Sequence, residues 1–251
     1  MRLTLLGTGN AAQVPVYNCD CLACIRAQTD LRYQRGPCSA LLEFDDSRWL
    51  IDSGLTDLSQ RFSPGSLKGI LQTHYHADHA QGLLHLRWGQ GIRIPVLGPP
   101  DPDGFADLYK HPGILDFSRT LKVFEIINLD GLQLTPVPLI HSKLTYGYVF
   151  AKEGKRFAYL TDTVGLPTDT EDYLKAETID VLVLDCSFPP NEKISRNHND
   201  FTMAMKVVET LNPRLAVLTH IGHELDVWLM TEGVKLPADV VIGREGMCFS
   251  S

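Results

Sequence analysis

The sequence lacks any excess of positive charge. Its 251 residues carry 23 Lys and Arg against 30 Asp and Glu, a formal net charge of −7 with a pI of about 5.7. An acidic balance argues against a broad nucleic-acid-binding face, while leaving room for a local basic groove. No apolar run approaches the roughly 20 residues needed to cross a bilayer, so no membrane association is expected. The opening residues Met1-Arg2-Leu3-Thr4-Leu5-Leu6-Gly7 enter a strand-like run and lack the layout of a signal peptide. A cytoplasmic location is the expectation, and with it reduced thiols. Repeats, low-complexity blocks and an obvious linker are absent too. Cysteines number only six, and in a reducing compartment they read as thiols or metal ligands rather than as a disulfide frame. The hydrophobic content of 44% is ample for a full core, in one large domain or two small ones.

Short strand-like runs alternate with turns and a few helices. Residues 3–6 read as a first strand, and 40–44 and 49–51 flank Asp45-Asp46-Ser47, a hairpin signal. Residues 67–72 read as a buried strand that delivers His74 at its C-terminal end. Further apolar runs of this kind are 95–97, 132–137, 145–150, 157–161, 179–184 and 215–219. The clearest helix is predicted over Phe201–Leu211. There Phe201, Met205, Val208 and Leu211 form one apolar core stripe, Asn199 or Asp200 caps it, and Asn212-Pro213 ends it. Residues 98–118, with Pro99, Pro100, Pro102 and Pro112, read as loop-rich. The pattern implies a mixed, layered fold with helices outside sheets.

Between Thr73 and Gln81 the chain reads Thr-His-Tyr-His-Ala-Asp-His-Ala-Gln. His74, His76, Asp78 and His79 form the pattern HxHxDH directly after an apolar run. Imidazole and carboxylate are the ligands that hold hard and borderline divalent metals. In an extended segment His74 and His76 point to the same side and can share one ion. A turn into a helix would then swing Asp78 and His79 toward a second ion. A two-metal site needs further protein ligands, and rigid sheets place them at strand ends. His141, Asp162 and His220 each follow an apolar strand-like run, as His74 does.

HxHxDH followed by a single His, a single Asp and a final His resembles the ligand order of the metallo-β-lactamase superfamily. The resemblance implies an α+β fold, the αββα sandwich of two packed mixed sheets with helices outside, as a single domain over residues 1–251. It also implies that His74, His76 and His141 hold one metal, that Asp78, His79 and His220 hold the other, and that Asp162 bridges them. Leu50-Ile51-Asp52-Ser53-Gly54 is similar to the superfamily's early strand-Asp-Gly motif. Asp52 is therefore a candidate for orienting a ligand histidine, the alternative being a strand-end Asp that caps its own turn.

Two ions about 3.5–4 Å apart would hold a bridging hydroxide and polarise the oxygen of the bond under attack. The reaction class is hydrolysis, of a phosphodiester, thioester, lactam or lactone. Asp185-Cys186-Ser187 after a strand, and Arg196-Asn197-His198-Asn199-Asp200 before the helix, favour a phosphodiester. They resemble the acidic residue and histidine of the phosphodiesterase branch, which includes tRNA 3′-processing nucleases. Carried over, His198 is the proton donor or charge stabiliser and Asp185 its orienting partner. Asp78 is counted with them as catalytic as well as ligating.

A finer resemblance spans nearly the whole chain. Leu86-Arg87-Trp88-Gly89, His111-Pro112-Gly113-Ile114-Leu115-Asp116-Phe117-Ser118, His141-Ser142-Lys143-Leu144-Thr145, Leu160-Thr161-Asp162-Thr163 and Thr219-His220-Ile221-Gly222-His223 are similar to the PhnP family. These are phosphodiesterases of the carbon–phosphorus lyase pathway of phosphonate use. The resemblance implies hydrolysis of a small cyclic phosphate, 5-phosphoribosyl 1,2-cyclic phosphate, to ribose 1,5-bisphosphate. It implies two Mn²⁺ at the active site, with Zn²⁺ or Fe²⁺ compatible with the same ligands, and a homodimer. Ala77 and Gly222 depart from the family pattern without removing a ligand. Separately, Cys19, Cys21 and Cys24 form CxCxxC, a candidate structural Zn²⁺ site whose fourth ligand is Cys38 or a distant histidine. Resemblance to the PhnP family points to His223. Cys186 and Cys248 read as packed thiols.

His85 and His111 read as packing or surface residues, and Arg87, Lys143 and Arg196 as low-ranked candidates for phosphate contact. The rival readings are an RNA-processing nuclease of the same superfamily, a thioesterase, lactonase or β-lactamase, and a metal-stabilised binding module.

Overall fold

The computed structural model describes residues 1–191 and 196–250. Period-two alternation sorts its strands into two layers. The first half supplies β1 (Arg2–Gly7), β2 (Ser39–Phe44), β3 (Ser47–Ile51), β4 (Gly69–Leu71), β5 (Ile94–Leu97) and β6 (Leu115–Asp116). The second half supplies β7 (Ile127–Leu129), β8 (Leu132–Pro138), β9 (Tyr146–Lys152), β10 (Lys155–Leu160), β11 (Val181–Asp185), β12 (Ala216–Thr219) and β13 (Val240–Ile242), and β14 (Cys248–Ser250) returns to pair with β1. The two seven-stranded sheets run β14-β1-β2-β3-β4-β5-β6 and β13-β12-β11-β10-β9-β8-β7.

The alternation decides which side chains fill each layer. In β3, Trp49 and Ile51 enter the core between the sheets, whereas Leu50 packs with Ile70, Val96, Leu58 and Leu83 on the other face. In β11, Val181 and Val183 face the inter-sheet core, and Leu182 and Leu184 meet Leu174, Ala204, Val208 and Leu225 from the helices Thr168–Lys175, Phe201–Leu211 and His223–Thr231. This is the α+β, αββα sandwich that the sequence led us to expect. Tyr148, Phe150, Phe157 and Tyr159 are fully buried at its centre. Removing an aromatic side chain from such a position typically costs about 3–5 kcal/mol, so this layer is a main source of stability.

Strands β3 to β6 are mutually parallel, as are β10 to β13. Their carboxyl ends lead into Asp52, His74, Asp162, Asp185 and His220, the position where open sheets present ligand-binding side chains. The helix Phe201–Leu211 has its predicted bounds: the Asp200 side chain accepts from the Met203 N–H at 2.8 Å, and Asn212 ends it in the left-handed region with φ 44°. Elsewhere the sequence reading was incomplete. The 67–72 strand shortens to Gly69–Leu71, and residues 98–118 contain the helix Ala106–Lys110 and β6. Helices Leu22–Thr29 and His223–Thr231 were not anticipated, because neither has a continuous apolar stripe and each is held by tertiary packing. No helix among the described residues is long and apolar enough to cross a membrane.

Candidate metal centre

His74 lies three residues beyond Leu71, the last residue of β4. His76 is extended (φ −69°, ψ 154°) and caps the short helix Ala77–Ala80, so the chain turns between the two pairs of ligands. His74 Nε2 stands 2.9 Å from His76 Nδ1, and His141 Nε2 stands 3.0 Å from the same atom. His79 Nε2 lies 3.4 Å from Asp78 Oδ2, and His220 Nε2 lies 3.8 Å from it. Asp162 stands between the two groups. Its Oδ2 is 3.7 Å from His74 Nε2, 3.8 Å from His141 Nε2 and 3.3 Å from His79 Nε2, while its Oδ1 is 3.4 Å from His220 Nε2.

The donor set fits metal ions. Ligands about 2.0–2.2 Å from a common ion lie about 3–3.6 Å from one another, which is the spacing seen here. His79 Nε2 and His220 Nε2 are buried with no hydrogen-bond partner. Orphaned buried nitrogens are rare and costly unless something else satisfies them. Burial opposes a charge on His79, but Asp162 and Asp52 outweigh it and push its pKa well above the ordinary value. The negative field that favours a proton there also favours a metal cation. Together these residues form a His/Asp metal site of the binuclear type.

The opposite nitrogen of several of these rings is held in turn. Asp52, fully buried, accepts from His79 Nδ1 at 2.8 Å and from the Thr73 N–H at 2.8 Å. Its contacts run to a ligand ring and to Gln72 and Thr73 and not to its own turn. Gly54, in the same motif, lets that loop approach closely: a Cβ there would lie 1.6 Å from the Asp78 carbonyl oxygen. Thr73 Oγ1 donates to Asp52 and meets His74 Nδ1 at 3.0 Å, while the Asn197 carbonyl accepts from His141 Nδ1 at 3.0 Å. Such contacts fix the tautomer that aims the other nitrogen at an ion. Thr73 was missed in the sequence; its only signal was its place between an apolar run and the first ligand.

His198 and Asp185 meet beside this centre. Asp185 Oδ2 accepts from His198 Nδ1 at 2.8 Å, and the His198 ring stacks on His220 with centroids 4.6 Å apart. Burial disfavours the imidazolium, but the charge and hydrogen bond of Asp185, aided by Asp162, prevail and raise His198 to about 9. Two of the low-ranked cations are engaged elsewhere. Lys143 Nζ pairs with Asp101 at 2.7 Å, and Arg87 donates to the carbonyls of Asp107 and His111. Arg196, His85 and His111 are exposed.

A second cluster forms at the other end of the His220 loop. His223 Nδ1 lies 3.4 Å from Cys19 Sγ, 3.4 Å from Cys21 Sγ and 3.8 Å from Cys24 Sγ. These spacings suit a tetrahedral Zn²⁺. Burial pushes the Cys24 thiol up to about 12, and a bound cation in the proton's place would favour the thiolate. Cys38 lies apart, buried against the Tyr159 hydroxyl, and Cys186 is buried too. Cys248 was read as a packed thiol but is exposed, because β14 is an edge strand. The Ile221 N–H donates to the Thr8 carbonyl at 2.8 Å, tying the N-terminal segment to the loop between the two clusters. Gly222 belongs there: a Cβ would stand 2.7 Å from the Ser187 carbonyl oxygen. Cys21→Ala is expected to remove one equivalent of zinc and, by loosening the His220 loop, to lower activity. Unchanged zinc by elemental analysis would sink that coupling.

Comparison with known proteins agrees with this architecture. The curated relatives include coenzyme PQQ synthesis protein B of Rhodopseudomonas palustris, 23% identical, with the match covering 98% of this chain and 82% of that one. Another, from Methylorubrum populi, is 28% identical over 74% of this chain and 72% of its own. Among solved structures, a diphosphatase of the PhnP family superposes with a TM-score of 0.81 at 28% identity, covering 99% of this chain and 97% of the other. Zn²⁺-bound PqqB from Methylobacterium extorquens shares the fold, with a TM-score of 0.77 at 18% identity and full coverage of both chains. The family model for the beta-lactamase superfamily domain matches residues 47–221, from the hairpin strand β3 through the last binuclear ligand. The chain belongs to the metallo-β-lactamase superfamily and carries the His/Asp centre of its metal-dependent hydrolases.

Proposed function

We propose that the protein is a binuclear metal-dependent phosphodiesterase acting on a small cyclic sugar phosphate, of the kind represented by 5-phosphoribosyl 1,2-cyclic phosphate. The observation that carries this reading is the His198–Asp185 pair against His220. Expulsion of an alkoxide from phosphorus calls for a proton donor at the leaving oxygen, and a half-buried His held charged by a carboxylate is suited to give one. Likeness to the PhnP-family diphosphatase supports phosphate chemistry in the same fold.

His74, His76 and His141 would hold one ion and Asp78, His79 and His220 the other, with Asp162 shared. When bound, such ions supply a nucleophile at neutral pH and polarise the oxygen under attack. The chain's own residues do the rest. Asp185 keeps Nδ1 of His198 as donor, so the proton that passes to the leaving oxygen sits on Nε2. Asp52 and Thr73 hold the ligand rings against rotation. The N/O donor set takes Mn²⁺, Zn²⁺ or Fe²⁺, with Mn²⁺ our choice. Resemblance alone supports a cytoplasmic homodimer in phosphonate catabolism.

The test is elemental analysis of the purified protein beside a hydrolysis screen of cyclic and linear phosphodiesters, a diphosphate, precursor RNA and a thioester. Turnover of a cyclic ribose phosphate with release of a phosphomonoester is the expected result. Cleavage of precursor RNA in preference to it would favour the nuclease reading, and turnover of the thioester alone would overturn phosphodiester chemistry.

A further inference from the structure

We propose that Ser187 is a positioning residue that sets His220 as a metal ligand and ties it to the carboxylate that holds His198. Ser187 is fully buried and belongs to neither ligand set. Its hydroxyl oxygen lies 2.8 Å from His220 Nδ1, 2.9 Å from the His220 carbonyl oxygen and 3.1 Å from Asp185 Oδ1, while the other oxygen of Asp185 takes His198 at 2.8 Å. Its main chain joins the same two loops. The Ser187 N–H donates to the Asn199 carbonyl at 2.9 Å, and its carbonyl accepts from the Gly222 N–H at 3.0 Å.

Proton bookkeeping gives the contact a direction. If the hydroxyl donated to His220 Nδ1, the ring proton would sit on Nε2, the atom that faces Asp78 and Asp162. Nε2 has no hydrogen-bond partner, as suits a lone pair aimed at an ion. The ring therefore donates from Nδ1 to Ser187 Oγ, and the hydroxyl's own proton faces two acceptors, the His220 carbonyl at 2.9 Å and Asp185 Oδ1 at 3.1 Å. The carboxylate that holds the proton donor thus lies one hydroxyl away from a metal ligand. Asp52 meets His79 directly. The two rings that face Asp78 and Asp162 each have a carboxylate behind them, one from each sheet.

The inference rests on the centre being a metal site, and its test is metal binding rather than turnover. Purified full-length protein, with its zinc retained, is titrated with Mn²⁺ alone. Wild-type binding of two ions speaks for the centre by itself, so the variants report on Ser187. Ser187→Ala keeps both main-chain contacts and removes only the hydroxyl. It is expected to weaken one of the two Mn²⁺ ions about 10–100-fold, the usual effect of losing a contact behind a ligand ring. The second ion and the zinc content should stay as in wild type. Ser187→Thr, which restores the hydroxyl, should recover the affinity. Wild-type affinity for both ions in Ser187→Ala would overturn the proposal. So would equal weakening at both ions with loss of zinc, the sign of a loosened loop. Should Ser187→Ala not fold, Ser187→Cys replaces the hydroxyl with a poorer acceptor of the same shape and is read in the same way.

Discussion

Asp162→Ala is expected to lower hydrolysis by about a thousandfold or more with the fold retained. Among the described residues, Asp162 is the one carboxylate whose oxygens approach ligand nitrogens of both sets. Burial alone would raise its pKa, yet the charges of His220, His79 and His74 hold it well below the usual carboxylate range. Without it, neither set is joined to the other. Charge stabilisation by metal centres amounts to several kcal/mol, and each 1.36 kcal/mol is a factor of ten in rate, which sets the expected size. Circular dichroism checks the fold, metal analysis counts the ions, and turnover of a cyclic phosphate gives the rate. Intact hydrolysis would remove Asp162 from the bridging role. Asp162→Asn, which keeps the shape and loses the charge, separates loss of charge from loss of packing.

The second large effect is at His198. His198→Ala should cost about 10²–10⁴ in rate on substrates that expel an alkoxide, the range for a positioned acid. With a p-nitrophenolate leaving group, which needs little protonation, the loss should be much smaller. Metal content should not change, because His198 belongs neither to the His74, His76 and His141 group nor to the Asp78, His79, Asp162 and His220 group. An equal loss on both leaving groups would mark His198 as a charge stabiliser instead of an acid. The pH profile gives a further handle. With His198 raised to about 9, the imidazolium survives at pH 7–8, and activity that depends on it declines as the pH rises through about 9. Asp185→Asn removes the charge that raises it, so this alkaline limb should move to lower pH. An unmoved limb would assign it to another group.

Much of the centre was legible because metal chemistry restricts residue type and a strand end restricts direction. HxHxDH is local: extended chain through His76 and helix from Ala77 divide four ligands between two ions within six residues. The apolar runs of β3, β10 and β11 were equally legible, since a strand buried on both faces is apolar along most of its length. Less was legible where contacts run between loops. Thr73 and Ser187 are ordinary hydroxyl residues in sequence, and only their distances to His74 and His220 distinguish them. Short strands such as β6, β13 and β14 were missed because two or three residues carry no usable period. Their pairing comes from a neighbouring edge.

The sequence by itself determined the donor types, their order along the chain and the hydrolytic class they imply. Its apolar runs implied a mixed, layered fold, because such strands must be buried, and the resemblance carried by the ligand order implied the two-layer sandwich. Tertiary structure decided which donors lie together. His141, Asp162 and His220 lie far from His74 in the chain, and the strands before them, β8, β10 and β12, run the same way in one sheet and bring their ends to one edge. It decided as well that Asp185 holds His198 and that His223 turns toward the cysteines while His220, three residues earlier, turns away. Those choices depend on where each side chain points once two sheets are packed, and local periodicity does not encode that direction.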